Sequence, residues 1–136
     1  MENTTVAIDG NKLTLEQVIQ VARNTEVQVR LAAGAKARIN RSRQAVETFL
    51  AQGERVYGIT TGFGALKDHF ISPEHRRELQ RNMIMSHAVG VGDPLPQEVV
   101  RAMLLIRANA LAKGYSGLRL SVVEALLALL NRGVYP

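Results

Sequence analysis

Apolar positions recur along this chain with two different periods, and the switches between them outline a fold. Near the start, VAIDGNKL predicts a short β-hairpin with its turn at Asp9-Gly10 or Gly10-Asn11. LTLEQVIQVAR changes to helical spacing: Leu15, Val18, Ile19 and Ala22 share one face, and Thr14 with Gln17 has the spacing of a capping box. VQVRL alternates again and predicts a small strand. Over 33–50 a second helix offers Ala35, Ile39, Val46, Phe49 and Leu50 to a core, with Gly53 as its stop.

The stretch VYGITTGFG then packs Tyr57, two threonines and Gly58, Gly62 and Gly64 into nine residues, which predicts a loop with unusual backbone angles. Ser72-Pro73-Glu74 combines a cap residue, a proline suited to the first helical position and an acid near the positive helix end, and predicts a helix running to about Ala88. Leu79, Met83 and Ser86 lie on one side of it, with His87 at the margin. VGVGDPLP breaks the chain, Pro96 opens a helix that continues through Ala112, GYSG interrupts, and a last helix spans about 118–132 before Gly133. The whole is mainly α, with a small β element near the N-terminus.

The last two helices, EVVRAMLLIRANALA and SVVEALLALL, are apolar nearly all the way round. Such helices belong in the middle of something. Partner subunits or further sequence are expected to cover what the other elements leave open. The uncharged VYP ending after Gly133 reads as a cut chain.

Composition narrows the picture. With 136 residues the chain is at most one domain, and 46% hydrophobic content is enough for a globular core. Aromatics make up 4% and tryptophan is absent, so that core is built from Leu, Val, Ile, Ala and Met. The lack of cysteine excludes disulfides, thiolate nucleophiles and Cys-ligated metals, and fits a reducing compartment. MENTTVAIDGNKL has no basic start followed by an apolar run, so no signal peptide is expected. No stretch reaches the roughly 18 uninterrupted apolar residues of a membrane span. A soluble cytoplasmic protein is the default. Net charge is +5, and Arg30, Lys36, Arg38, Arg41 and Arg43 occur with no acid among them. Such a run could attract nucleic acid or an anionic ligand, but a solvated helix face is the simpler reading because the same helix has apolar residues to bury.

Several chemical motifs drop out on spacing. The glycines form GxxxGxG, which matches neither the dinucleotide fingerprint nor the phosphate loop. His69 and His75 flank a proline at no recognised ligand spacing and have no third ligand nearby, so no metal is expected. Ser86, His87 and Asp93 supply the residue types of a triad, yet helical neighbours point about 100° apart. A helix-turn-helix over LTLEQVIQVAR and the basic helix lacks a turn glycine in Arg23-Asn24-Thr25-Glu26, and VQVRL is a poor start for a recognition helix. By pattern alone, His87 among Met83, Ile84, Met85 and Val89 suits a satisfied core residue, and Tyr57 beside Val56 and Ile59 suits a packed strand residue. A free phenol ionises near pH ~10, so a basic tyrosine needs cationic or hydrogen-bonding surroundings.

Four blocks in order, VYGITTGFG, LQRNMIMSHAVGVGDPLP, ANALAKGYSGLRL and ALLALLNRGVYP, resemble the N-terminal part of the aromatic amino acid ammonia-lyases, and among these the histidine ammonia-lyases most, over residues 13–136. The resemblance implies an L-aspartase-like helical fold and a single N-terminal domain over 1–136 that ends before the family's electrophile segment. It also implies non-oxidative elimination of ammonia from an aromatic amino acid, giving urocanate in the histidine case. The family's cofactor is a methylidene-imidazolone ring made from Ala-Ser-Gly; that tripeptide does not occur in this sequence, so the chain alone is expected to be inactive.

Residue by residue, the resemblance makes Tyr57 the base that takes a β-proton, on a lid loop containing Gly58, Thr61, Gly62 and Gly64. Ser86 and His87 match the pair that meets the substrate ring, and their polarity favours imidazole. Thr60 stands where histidine enzymes often carry asparagine, and Thr-Thr also occurs in relatives acting on phenylalanine or tyrosine. Those lyases, the aminomutases that share the blocks, and a non-catalytic subunit of the same fold therefore remain open. The resemblance further implies an amino acid substrate, a homotetramer with self-association through 96–132, and no metal, nucleic acid or membrane partner.

Overall fold

The structure, a computed structural model, describes residues 4–135, apart from the side chains of Leu66 and Pro73; Pro136 of the VYP ending lies outside it. Its elements are β1 (Thr5–Ile8), α1 (Leu15–Arg23), β2 (Gln28–Leu31), α2 (Ala33–Gln52), α3 (Arg76–His87), α4 (Gln97–Ala112) and α5 (Leu120–Asn131), with short 3-10 turns at Gly64–Leu66 and Pro73–His75. They pack as two compact units: residues up to Gln44 with those from Pro94 onward, and Ala45–Asp93. Helix α2 begins in the first unit and ends in the second. The mainly α class with a small β element is therefore correct.

The expected hairpin is not formed. Instead β1 and β2 pair in parallel, with Val6 opposite Val29 and Ile8 opposite Leu31, and α1 makes the crossover that parallel pairing requires. The reason lies in the turn: the Asp9 carboxylate accepts the N–H groups of Asn11 and Lys12 at 2.8 and 2.9 Å. These donors hold its carboxyl below the ordinary aspartate range. The Gly10 N–H donates to Asn109 Oδ1 in α4 at 2.9 Å, so the chain is drawn toward α4 rather than back along β1. On β2, Val29 exchanges two 2.9 Å hydrogen bonds with the side-chain amide of Asn131. The amide occupies backbone groups that a third strand would take.

Helix α1 starts at the expected capping box, with Gln17 N–H on Thr14 Oγ1 and Thr14 N–H on Gln17 Oε1. Its buried face is rotated from the expected one. Val21 is fully buried, Val18 and Ala22 are half-buried, and Leu15 and Ile19 are exposed. On α2, Ala35 and Ile39 are buried, Val46, Phe49 and Leu50 are half-buried, and the helix ends one residue before Gly53. Three cations of the basic run are used within the first unit. Lys36 pairs with Glu124 at 3.1 Å, Arg38 donates to the carbonyls of Asp9 and Ala112, and Arg43 donates to that of Gly117.

All fully buried hydrophobic side chains among the described residues belong to the first unit, where Ile8, Val29, Ile39, Leu105, Val123 and Leu130 are representative. With them lies Arg101 of α4, 1% exposed. Its guanidinium donates to the carbonyls of Val21, Asn24 and Leu130 at 2.8, 3.1 and 3.1 Å and to the Tyr135 hydroxyl at 2.8 Å. The ends of α1 and α5 thus share one buried cation, where cations favour helix carboxyl ends. The outer faces of α4 and α5 remain open, with Val99, Met103, Ile106 and Val122 exposed, as the all-round apolar pattern predicts.

Gly114, between α4 and α5, has a φ of +81°, and a Cβ there would fall 2.6 Å from Arg38 Cβ and 2.7 Å from the Arg38 carbonyl carbon. Gly114→Ala combines a left-handed backbone with a clash against backbone that cannot swing away. It should lower stability by about 2–3 kcal/mol, read as a reduced midpoint in urea.

Candidate active site

The VYGITTGFG segment folds within the second unit as a loop closed by its own threonines. Thr60 is fully buried and Thr61 nearly so. The Thr60 hydroxyl donates to the Glu54 carbonyl and accepts the Val56 N–H at 2.8 Å. The Thr61 hydroxyl accepts the Gly58 N–H at 3.3 Å. Farther along, Ile71 N–H donates to the Thr60 carbonyl at 2.9 Å and Gly62 N–H to the His69 carbonyl at 3.1 Å, around a bridge of Thr61 with Phe70.

This framework holds Tyr57 outward. The residue is 63% exposed, contrary to a packed strand residue. Phe63 meets it edge-on, with centroids 5.8 Å apart and planes at 75°, a favoured aromatic geometry. The Gly64 N–H points at the Tyr57 hydroxyl at 3.4 Å. Gly58 has to be glycine here, because its φ is +71° and a Cβ would lie 2.7 Å from Phe63 Cε1. Phe63 is the residue that reading the sequence missed, with an aromatic six places after Tyr57 as the available signal; Thr60 was weighed there only for substrate choice, not for its buried hydrogen bonds.

The second group of candidate residues sits at the end of α3. That helix begins a turn later than expected, since the Ser72 hydroxyl contacts His75 Nδ1 at 2.9 Å instead of capping a backbone N–H. The same hydroxyl is the main reason that the Glu74 carboxyl is held below its usual range. The Pro73 side chain, part of the expected start signal, lies outside the described residues. His87 is exposed, not a core residue. Its Nδ1 lies 2.9 Å from the Met83 carbonyl and 3.0 Å from Ser86 Oγ, while the Ser86 hydroxyl donates to the same carbonyl at 2.9 Å. A carbonyl only accepts, so this contact needs the hydrogen on Nδ1 and leaves Nε2 as an acceptor. Ser86, His87 and Met83 form one fixed cluster. Among the described residues no hydrogen bond or ring contact joins it to Tyr57, and no group of three His, Cys, Asp or Glu could hold a metal.

The family described as aromatic amino acid lyase matches residues 13–136. The chain belongs to that family. It is 55% identical over 131 residues to the histidine ammonia-lyase of Caldanaerobacter subterraneus subsp. tengcongensis, covering 96% of this chain and 26% of the relative. Among solved structures, it superposes on histidine ammonia-lyase from Trypanosoma cruzi with a TM-score of 0.85 and 36% identity, over 94% of this chain and 25% of that one. Ergothionase from Treponema denticola, an ergothioneine-degrading enzyme, gives 0.91 and 33% identity, over 97% and 26%. The chain thus spans about a quarter of the length of the curated relatives it matches. Residues 13–136 are the stretch given to the resemblance from the sequence, although the four blocks that carry it begin only at Val56.

Proposed function

We propose that this chain is the opening quarter of a histidine ammonia-lyase, which removes ammonia from L-histidine to leave urocanate. The observation that carries the proposal is the 55% identity to the Caldanaerobacter histidine ammonia-lyase, sustained over 131 residues. In this reading Tyr57, as phenolate, takes a proton from the substrate β-carbon. The C–H electron pair becomes the new Cα=Cβ bond, and the C–N bond breaks with its electrons leaving on ammonia. His87 Nε2 accepts the substrate imidazole N–H, and Ser86 keeps the His87 ring in that orientation. The loop of Gly58, Thr61, Gly62 and Gly64 covers the substrate and excludes water.

The methylidene-imidazolone of the family makes the amino group a better leaving group when it is present. No Ala-Ser-Gly occurs in this chain to form it, so the residues here do not fit that group by themselves. The 136-residue chain should therefore leave L-histidine unchanged.

The absence of cysteine agrees with a cytoplasmic enzyme. The exposed Val99, Met103 and Ile106 of α4 favour homo-oligomers built through 96–132. Sedimentation of the chain at micromolar concentration should show association; a monodisperse monomer would count against this assembly. The function itself is tested by a chimera in which this chain replaces the matching quarter of the Caldanaerobacter enzyme. Release of ammonia and urocanate from L-histidine, in preference to turnover of phenylalanine or tyrosine, is expected. Accumulation of a β-amino acid would favour an aminomutase instead.

A further inference from the structure

Tyr57 sits between two residues whose N–H groups are both held by side chains rather than by backbone. Val56 N–H is bound by the Thr60 hydroxyl at 2.8 Å, and Gly58 N–H by the Thr61 hydroxyl at 3.3 Å. Thr60 does more than accept, because its hydroxyl donates onward to the Glu54 carbonyl and its own carbonyl receives Ile71 N–H at 2.9 Å. It has no accessible surface, so it has none to offer a substrate. The unit around it contains no fully buried hydrophobic side chain among the described residues, so polar contacts carry more of the loop's order than packing does.

We propose that Thr60 is a positioning residue: its buried hydroxyl closes the 54–60 turn and thereby fixes where the Tyr57 ring stands, without reading the substrate. As far as it concerns catalysis, this rests on the assignment of Tyr57 as the base. The bonding requirement at position 60 is one acceptor for Val56 N–H and one donor for the Glu54 carbonyl. A threonine hydroxyl meets both, and so does a side-chain amide. Threonine and asparagine are then interchangeable here for one physical reason, and the residue at 60 carries no information about which aromatic ring is bound. A rigidly held turn also alters the idea of a freely moving lid, since the backbone on both sides of Tyr57 is tethered and the ring itself supplies the motion.

The test has two arms. On the 136-residue chain, Thr60→Val keeps shape and removes the hydroxyl, and amide exchange by NMR should speed up about tenfold at Val56, as for loss of one hydrogen bond. Gly64, which Thr60 does not touch but which bonds Tyr57, should speed up as well, while Ala108 and Leu127 in the other unit stay unchanged. Thr60→Ser should restore protection. Unchanged exchange at Val56 and Gly64 in Thr60→Val, or unprotected exchange there already in the native chain, would overturn the positioning role whatever Tyr57 does. In the chimera, Thr60→Val should lower kcat for every substrate alike with little change in KM, and Thr60→Asn should keep both rate and histidine preference. A change in substrate preference on Thr60→Asn would overturn the claim that position 60 does not read the ring. If the exchange results hold but Tyr57→Phe leaves kcat intact, the base assignment fails and the loop pin survives.

Discussion

Tyr57→Phe in the chimera is expected to lower kcat by about 10²–10⁴, the range typical of removing a positioned general base. The change deletes one oxygen and keeps the ring, so the edge-on packing with Phe63 persists. The lost contact is a single 3.4 Å hydrogen bond from Gly64 on an exposed hydroxyl. Neither consequence disturbs folding, and sedimentation should show unchanged assembly. Because the proton transfer belongs to the transition state, kcat and kcat/KM should fall together while KM moves little. Unchanged kcat would remove Tyr57 from the chemistry; a lower kcat with dissociated subunits would shift its role to structure.

Arg101→Met is the substitution expected to damage the fold most. Methionine retains much of the apolar stem but none of the donors. It leaves the Val21 carbonyl without a donor beside a side chain that is itself 1% exposed, while the Asn24 and Leu130 carbonyls keep the longer bonds from Val27 N–H at 3.4 Å and Gly133 N–H at 3.3 Å. Each buried acceptor left without a partner costs roughly 1–3 kcal/mol. Removing a desolvated cation returns part of this, as buried charges are expensive to hold. The four charge-assisted bonds lost, to three carbonyls and the Tyr135 hydroxyl, outweigh the relieved charge, so a net loss of about 4 kcal/mol is expected. Arg101→Lys should recover little, since one ammonium cannot span the sites that the planar fork reaches. Urea unfolding followed by circular dichroism measures both variants. Native-like stability of Arg101→Met would mean that the carbonyls find other partners.

The helices were legible in the sequence because their signals are local. The Thr14–Gln17 box, the stop before Gly53 and the opening at Pro96 each act within one turn of backbone. The parallel pairing of β1 and β2 was not, since Asp9-Gly10-Asn11 is equally compatible with a hairpin turn and with the Asp9-capped turn observed. What separates the two is the bond of Gly10 to Asn109, 99 residues away. Arg101 was hidden for a related reason: in EVVRAMLLIR it looks like a polar interruption, and its partners are mostly backbone carbonyls, which leave no trace in residue identity.

In the candidate site the loop was legible and its mechanics were not. Three glycines around a tyrosine announce special backbone, but the sequence does not say that Thr60 turns inward and Tyr57 outward. Apolar neighbours suggested burial for His87, yet among the described residues the Ala45–Asp93 unit has no fully buried hydrophobic side chain to pack it against. The outward placement of Tyr57 and His87 follows from that thin packing. It is the property that an active-site surface needs.

Incorporating 3-fluorotyrosine at position 57 of the chimera tests the assignment of the base most directly, because fluorine makes the phenol more acidic at almost no steric cost. If Tyr57 removes the β-proton, the rising limb of kcat/KM against pH should move to lower pH, as it reports the ionisation of the free enzyme's base. A limb that stays where the unmodified enzyme has it would contradict the account.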